Sequence, residues 1–211
     1  MRTDIVNTVP SSRTDELLRE RGYDLLDEYL TIIEKAHFDS SGPVLELATG
    51  TGRTAAILAR CGFDVITGDI TLGKRAEALT RIAPAYGNRV SMAALNMERL
   101  PFRDNSVTTI ISLNTIHELD HPGACVQELI RVHDPRGVLV IGDYNETGFA
   151  VLQEIHRIVF GRDHSRGYLS IQDVEDELTR LYRTITKIET PLNVSYLCRG
   201  KLPVRSSRTF I

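Results

Sequence analysis

Two short apolar runs, at 107–113 and 138–143, most restrict how this chain can fold. Each run is nearly continuous in hydrophobic or β-branched residues and lacks the polar alternation of a strand with one face in water. Such runs are typical of parallel strands that helices cover on both faces. Parallel neighbours also need long crossover connections, and segments with helical spacing stand between the apolar runs.

The same alternation continues along most of the chain. Helices are predicted at 14–38, 53–60, 72–84, 122–132, 147–160 and 171–182. Strands are predicted at 44–47, 64–69, 90–95, 107–113, 138–143, 184–189 and 193–198. The pattern predicts an α/β fold, a Rossmann-like, doubly wound, mostly parallel seven-stranded sheet with helices on both faces.

The length of 211 residues predicts a single domain. Residues 1–40 are expected to form an N-terminal helical cap. Residues 145–169 interrupt the path from the fifth to the sixth strand and are expected to form a lid over a substrate. Four polar side chains of this segment are candidates for substrate recognition: Arg157, Arg162, His164 and Tyr168. The alternative interpretations are a homodimer contact and a solvated loop.

Composition excludes several classes of partner. The chain has 25 basic and 28 acidic residues, a net charge of −3, and no tryptophan, so we do not expect it to bind nucleic acid. Its three cysteines lie far apart, which argues against a disulfide framework or a thiolate zinc site. No apolar run approaches the roughly 20 residues of a membrane helix, and the acidic N-terminus does not resemble a leader. We therefore expect a cytoplasmic protein.

A glycine-rich turn follows the first predicted strand. Gly50 and Gly52 let the backbone turn tightly and approach a ligand, and the next helix directs its free N–H groups toward the same place. Asp69 ends the second strand, 19 residues after Gly50, where a carboxylate can accept both ribose hydroxyls of an adenosine cofactor. Residues 50–55 also match the dinucleotide pattern, so a nicotinamide enzyme is an alternative. Glu46 favours a cofactor that carries positive charge over a pyrophosphate.

Several segments together are similar to a known family. Residues 44–52 (VLELATGTG) resemble motif I of the class I S-adenosylmethionine-dependent methyltransferases. Residues 96–106 (NMERLPFRDNS) resemble the segment between the third and fourth strands in the ubiquinone/menaquinone-methylase group. The blocks 117–122 (HELDHP), 128–132 (ELIRV) and 135–143 (PRGVLVIGD) follow in the family's order. The resemblance covers about residues 43–145.

The resemblance implies methyl transfer from S-adenosylmethionine to a small molecule, with S-adenosylhomocysteine as product. It assigns the methionine end of the cofactor to Glu46, Ala48, Thr49, Gly50 and Gly52. It assigns the adenosine end to Asp69, Ile70, Asn96 and Met97, and the region of the methyl-bearing sulfur to Leu113 and Asn114. Three positions depart from the family pattern. Ala48 and Arg136 stand where the family commonly has glycine, and Asn96 stands where it commonly has aspartate.

Candidate catalytic side chains stand at the carboxyl ends of the fourth and fifth strands: His117, Asp143 and Tyr144. A general base is needed only where the acceptor arrives protonated, and histidine is the usual proton acceptor near neutral pH. The alternative for His117 is a packed loop residue. For Asp143 it is an N-cap of the helix that follows.

Residues 117–121 also match HExxH, the zinc-peptidase signature. That chemistry needs a helix, which places both histidines on one face. Here the motif follows a strand and precedes Pro122, so His117 and His121 are not expected to share a metal ion. We expect no metal.

Three other functions stay open from the sequence. The basic C-terminal stretch, with Arg199, Lys201, Arg205 and Arg208, raises the possibility of a tRNA methyltransferase, and a protein methyltransferase belongs to the same alternative. The glycine-rich turn also allows an NAD(P)-dependent oxidoreductase or a non-catalytic protein that binds an adenosine cofactor.

Overall fold

The computed structural model of this chain describes residues 2–71, 73–164 and 166–203. Within them, the central sheet has seven strands in the order β3-β2-β1-β4-β5-β7-β6. The strands are β1 (Val44–Leu47), β2 (Val65–Asp69), β3 (Val90–Ala94), β4 (Val107–Leu113), β5 (His133–Tyr144), β6 (Tyr182–Glu189) and β7 (Asn193–Lys201). Only β7 runs against its neighbours, β5 and β6, so the predicted mostly parallel sheet is confirmed.

Helices cover both faces of the sheet. They are α1 (Arg2–Asn7), α2 (Arg13–Glu20), α3 (Leu25–Ala36), α4 (Arg53–Arg60), α5 (Arg75–Ile82), α6 (Pro122–Val132), α7 (Glu146–Phe160) and α8 (Ile171–Leu181). Side chains of α3, α4 and α7 contribute to one buried core, and those of α6 and α8 contribute to the other. The doubly wound arrangement follows, because each face of a parallel sheet needs its own apolar cover.

The single helix predicted at 14–38 is wrong, because two helices occupy that range. Gly22 has a left-handed φ of +84°, which ends the first helix. Asp24 then caps α3, where its carboxylate accepts hydrogen bonds from the N–H groups of Leu26 and Asp27. Periodicity alone did not reveal this break, since the apolar positions of both helices follow one spacing.

The helix predicted at 72–84 is shorter than expected. α5 ends at Ile82, and Pro84 begins a short 3-10 helix that runs to Arg89. Proline cannot continue an α-helix because it lacks an N–H and collides with the preceding turn. The predicted start at Leu72 lies outside the described residues.

The basic stretch after Cys198 does not present a free cationic surface where it is described. Lys201 is buried and donates hydrogen bonds to the carbonyl groups of Ile130 and His133, at 2.6 and 2.7 Å. Arg199 donates to the carbonyl of Ala36. Arg205 and Arg208 lie outside the described residues. In the described part of the chain, no helix is both long and apolar enough to cross a membrane.

Candidate active site

A cavity of about 770 Å³ lies at the carboxyl edge of the parallel strands. Its wall contains the glycine-rich turn after β1, the end of β2, the loop after β4, the start of α2 and one side of α7. Most predicted site residues line it: Ala48, Thr49, Gly50, Asp69, Ile70, Asn96, Met97, Leu113, Asn114, His117 and Tyr144. Three do not: Glu46, Gly52 and Asp143.

The turn after β1 is built around left-handed backbone conformations. Gly52 has a φ of +80° and lies so close to α5 that an added Cβ would be 2.9 Å from Ala78 Cα. The amide of Gly50 donates a hydrogen bond to Asp69, N to Oδ2 at 2.9 Å. Among the described residues, no side chain caps the start of α4, so its first N–H groups stay available at the cavity wall.

Glu46 lies behind the turn and does not form part of the cavity wall. Burial raises the pKa of its carboxyl group to about 7, although a hydrogen bond from Thr67 opposes the shift. Thr67 in turn pairs with Thr49, with 2.6 Å between their hydroxyl oxygens. Hydrogen bonds through Thr67 therefore connect Glu46 to Thr49, which does line the cavity. A contact between Glu46 and a cofactor stays a prediction.

Two polar atoms in the cavity wall have no partner among the described residues. They are the hydroxyl oxygen of Thr51, in the turn, and the amide oxygen Oδ1 of Asn114, after β4. Buried polar atoms are almost always hydrogen-bonded, so an unpaired one in a cavity wall indicates a ligand or water. An amino-acid moiety with ammonium and carboxylate groups fits these atoms and the free N–H groups of α4.

Arg53 and Tyr29 also line the cavity, although neither was predicted to be a site residue. Tyr29 lies on α3 and accepts a hydrogen bond from the Asn114 amide at 2.8 Å. Burial raises the pKa values of Tyr29 and Tyr144 well above the usual range for a phenol. Both hydroxyl groups are therefore protonated near pH 7. Tyr29 appears in the sequence only as an apolar position of an amphipathic helix.

His117 and Asp143 form a hydrogen-bonded pair. The distance from His117 Nδ1 to Asp143 Oδ1 is 2.7 Å, and both side chains are almost completely buried. Asp143 also accepts hydrogen bonds from the backbone N–H groups of His117 and Tyr144. The alternative of Asp143 as a helix cap is wrong, because Asn145 caps α7 through a bond from Gly148.

The segment after α7 brings His164 to the same place. Its Nε2 lies 2.9 Å from the Nε2 of His117, and His156 of α7 packs beside it. Burial lowers the pKa of His164 to about 4, so this imidazole is neutral near pH 7. Arg157, Arg162 and Tyr168 do not line the cavity. His121 lies outside the cavity wall as well and pairs with Glu98.

Known methyltransferases are similar to this chain in sequence and in fold. A methyltransferase domain family matches residues 45–141. This match extends from β1 into β5 and covers the segments that resemble the class I S-adenosylmethionine-dependent methyltransferases. It is similar to a demethylmenaquinone methyltransferase of Parafrankia sp., with 35% identity over 48% of this chain and 46% of that protein. It also resembles a ubiquinone/menaquinone biosynthesis C-methyltransferase of Geotalea daltonii, with 26% identity over 61% of this chain and 56% of that protein.

A solved methyltransferase shares the fold. The SAM-dependent methyltransferase from Aquifex aeolicus has a TM-score of 0.59 and 18% identity, covering 89% of this chain and 98% of that one. The chain spans about half the length of the curated relatives it matches. The predicted fold and the predicted resemblance to the methyltransferases are confirmed.

Ala48 has a left-handed φ of +64°, which explains why the family commonly has glycine there. An L-residue in this conformation is strained by about 1–2 kcal/mol, whereas glycine adds about 0.4–1 kcal/mol of unfolded-state entropy. We expect Ala48→Gly to raise the free energy of unfolding by about 0.5–1 kcal/mol. Ala76→Gly, on the exposed face of α5, is the matched control and should lower it. Urea denaturation measures both; destabilisation by Ala48→Gly would contradict this account.

Proposed function

We propose that this chain transfers the methyl group of S-adenosylmethionine to a small, hydroxylated, planar acceptor. The observation that supports this most is that one cavity joins the glycine-rich turn to the buried His117–Asp143 pair. The relatives named for demethylmenaquinone and ubiquinone/menaquinone methylation suggest an acceptor of quinol type. Aromatic rings of Tyr144 and Phe160 in the wall suit a planar molecule.

The cofactor would lie in the part of the cavity that the turn after β1, the end of β2 and residues 96–97 form. Its ribose hydroxyls would be held by Asp69, its adenine by Ile70, Met97 and Asn96, and its amino-acid end by the turn after β1. When bound, it supplies a methyl group activated by a sulfonium. Ile70 is 67% exposed, which leaves an apolar surface for an adenine ring to cover. The oxygen Oδ1 of Asn96 already accepts a hydrogen bond from the backbone N–H of Glu98. The side-chain NH₂ group of Asn96 is therefore the group that can bond to adenine.

On the acceptor side, the pair His117–Asp143 is proposed to remove the acceptor's proton. The Asp143 carboxylate accepts from Nδ1 of His117, so that nitrogen carries the hydrogen and the lone pair of Nε2 faces the cavity. His164 contacts this nitrogen in the structure. An acceptor hydroxyl must therefore displace His164 to reach it.

Two segments expected from the sequence to cover the substrate do contribute to the cavity wall. Ser12, Arg13 and Tyr29 belong to the proposed N-terminal cap, and His156 and Phe160 to the proposed lid. We infer that substrate entry and product release involve the lid. Three expectations stay predictions: that the chain forms a homodimer, that it does not bind nucleic acid, and that it is cytoplasmic.

Asp69→Ala tests the cofactor site. Charge-assisted hydrogen bonds contribute about 1.5–3 kcal/mol each, so we expect the affinity for S-adenosylhomocysteine to fall at least about tenfold. Asp64→Ala, which removes an exposed acid just before β2, is the matched control and should leave the affinity unchanged. Isothermal titration measures both variants. Equal affinities for wild type and Asp69→Ala would show that the adenosine does not bind here.

A further inference from the structure

His117 and the two side chains nearest its Nε2 have the chemistry of a metal site. The candidate ligand atoms of His117, Glu118 and His164 all lie within 4.8 Å of one another. The two Nε2 atoms are 2.9 Å apart, and the Glu118 carboxylate is 3.9 Å from His117 Nε2. His117 and Glu118 come from the turn after β4 (Ile116–Glu118), whereas His164 comes from the segment after α7.

The surroundings orient these groups toward a common point. Asp143 holds Nδ1 of His117, so the lone pair of Nε2 is directed into the cavity. A carboxylate behind a ligand imidazole is the usual support of histidine in metal sites. Gly167 places the other ligand, because an added Cβ there would lie 2.5 Å from the His117 carbonyl oxygen. The segment that carries His164 is therefore packed directly on the backbone of His117.

We propose that His117, His164 and Glu118 bind a divalent transition-metal ion of the zinc class. Two imidazole nitrogens and one carboxylate oxygen suit Zn²⁺, and three protein ligands leave a fourth position for water or another oxygen ligand. Mg²⁺ and Ca²⁺ prefer oxygen ligands throughout and are not expected to bind. Zinc–nitrogen bonds of about 2.0–2.1 Å in a tetrahedron require nitrogens roughly 3.3 Å apart. The two imidazoles need to separate by only a few tenths of an ångström.

This site differs from the zinc motif considered in the sequence. The HExxH spacing pairs His117 with His121, but His121 is exposed and bonded to Glu98. His164, 47 residues away, takes its place. His156 is not one of the three candidate ligands, but its ring packs on His164 with 4.1 Å between the ring centroids, and its buried Nδ1 has no partner in the part of the chain that the structure describes.

Metal binding has one consequence for methyl transfer, and this consequence rests on the proposed function. A bound ion takes the Nε2 lone pair of His117, which the proposed proton transfer requires. The metal-loaded chain should therefore be inhibited, and removal of the ion by a chelator should restore activity. Binding itself does not depend on the proposed function.

The binding test uses the chelator-treated full chain. Titration with Co²⁺ should produce the visible absorption of a low-symmetry site, at one ion per chain, and Zn²⁺ should displace it. His164→Ala should abolish the absorption, and Asp143→Asn should lower affinity about 10–100-fold. His121→Ala is the matched control and should bind like wild type. Absence of cobalt absorption from the wild type, or equal binding by wild type and His164→Ala, would overturn the proposal.

The inhibition test separates this inference from the proposed function. With an accepted quinol-type substrate, Zn²⁺ should inhibit wild type and His121→Ala alike and inhibit His164→Ala less. Equal inhibition of all three would overturn the link between the ion and His117. If no acceptor is methylated while Co²⁺ still binds, the proposed function fails and the metal site stands.

Discussion

Replacing His117 with alanine is expected to lower kcat about 10²–10⁴-fold, the usual contribution of a positioned general base. The affinity for S-adenosylhomocysteine should stay within about twofold of wild type, because the base contributes to the chemical step. His121→Ala is the matched control, since that imidazole is exposed and outside the cavity wall. Single-turnover kinetics and calorimetric titration of the same preparations provide the two readouts.

Asp143→Asn completes this test. Its amide group can donate to Nδ1 of His117, which would place the imidazole proton on Nε2 and remove the lone pair from the cavity. We therefore expect a loss of kcat similar to that of His117→Ala, and no further loss in the double variant. Unchanged kcat in either single variant would exclude the pair from proton transfer and leave methyl transfer to positioning alone.

Asp15→Ala is expected to have the largest effect on stability, about 3–5 kcal/mol. Asp15 is buried and accepts hydrogen bonds from Arg53 Nε at 2.8 Å and Arg81 Nη1 at 2.9 Å. These contacts join α2 to α4 and α5. Removing the carboxylate leaves two arginines without their buried counter-charge. Glu20→Ala, an exposed change on the same helix, should shift the free energy of unfolding by less than about 0.5 kcal/mol.

The same contacts predict how stability depends on pH. Burial by itself would raise the pKa of Asp15, but Arg53 and Arg81 outweigh it and hold the pKa well below its usual range. A lowered native pKa means that the stabilisation is complete above the unfolded value near 4 and is lost as the pH falls below it. Urea denaturation from pH 7 to pH 3 should show a smaller decrease for Asp15→Ala than for wild type. Parallel curves would contradict the assignment.

The strands that carry the site could be predicted because burial leaves a local pattern. The predicted 107–113 matches β4, and the turn with Gly50 and Asp69 lies where the spacing placed it. Continuous apolar runs indicate strands buried on both faces, whatever the rest of the chain does. The position of the cavity then follows from the rule that ligands bind beyond the carboxyl ends of parallel strands.

The pairings inside the site could not be predicted in the same way. Asp15 meets Arg81 across 66 residues, and His117 meets His164 across 47. Periodicity reports which side chains are buried, but it does not report which polar partners meet from separate elements. The local HExxH spacing pairs His117 only with His121, and it gives no sign of the contact with His164.

Titration of the wild-type chain with S-adenosylhomocysteine, with NAD and NADP measured in parallel, tests the central claim most directly. We expect heat and a one-to-one stoichiometry with S-adenosylhomocysteine, and no binding of either dinucleotide. If NAD or NADP binds and S-adenosylhomocysteine does not, the assignment of the cavity to S-adenosylmethionine is contradicted. In that case the turn at Gly50 and the carboxylate of Asp69 would serve a dinucleotide instead.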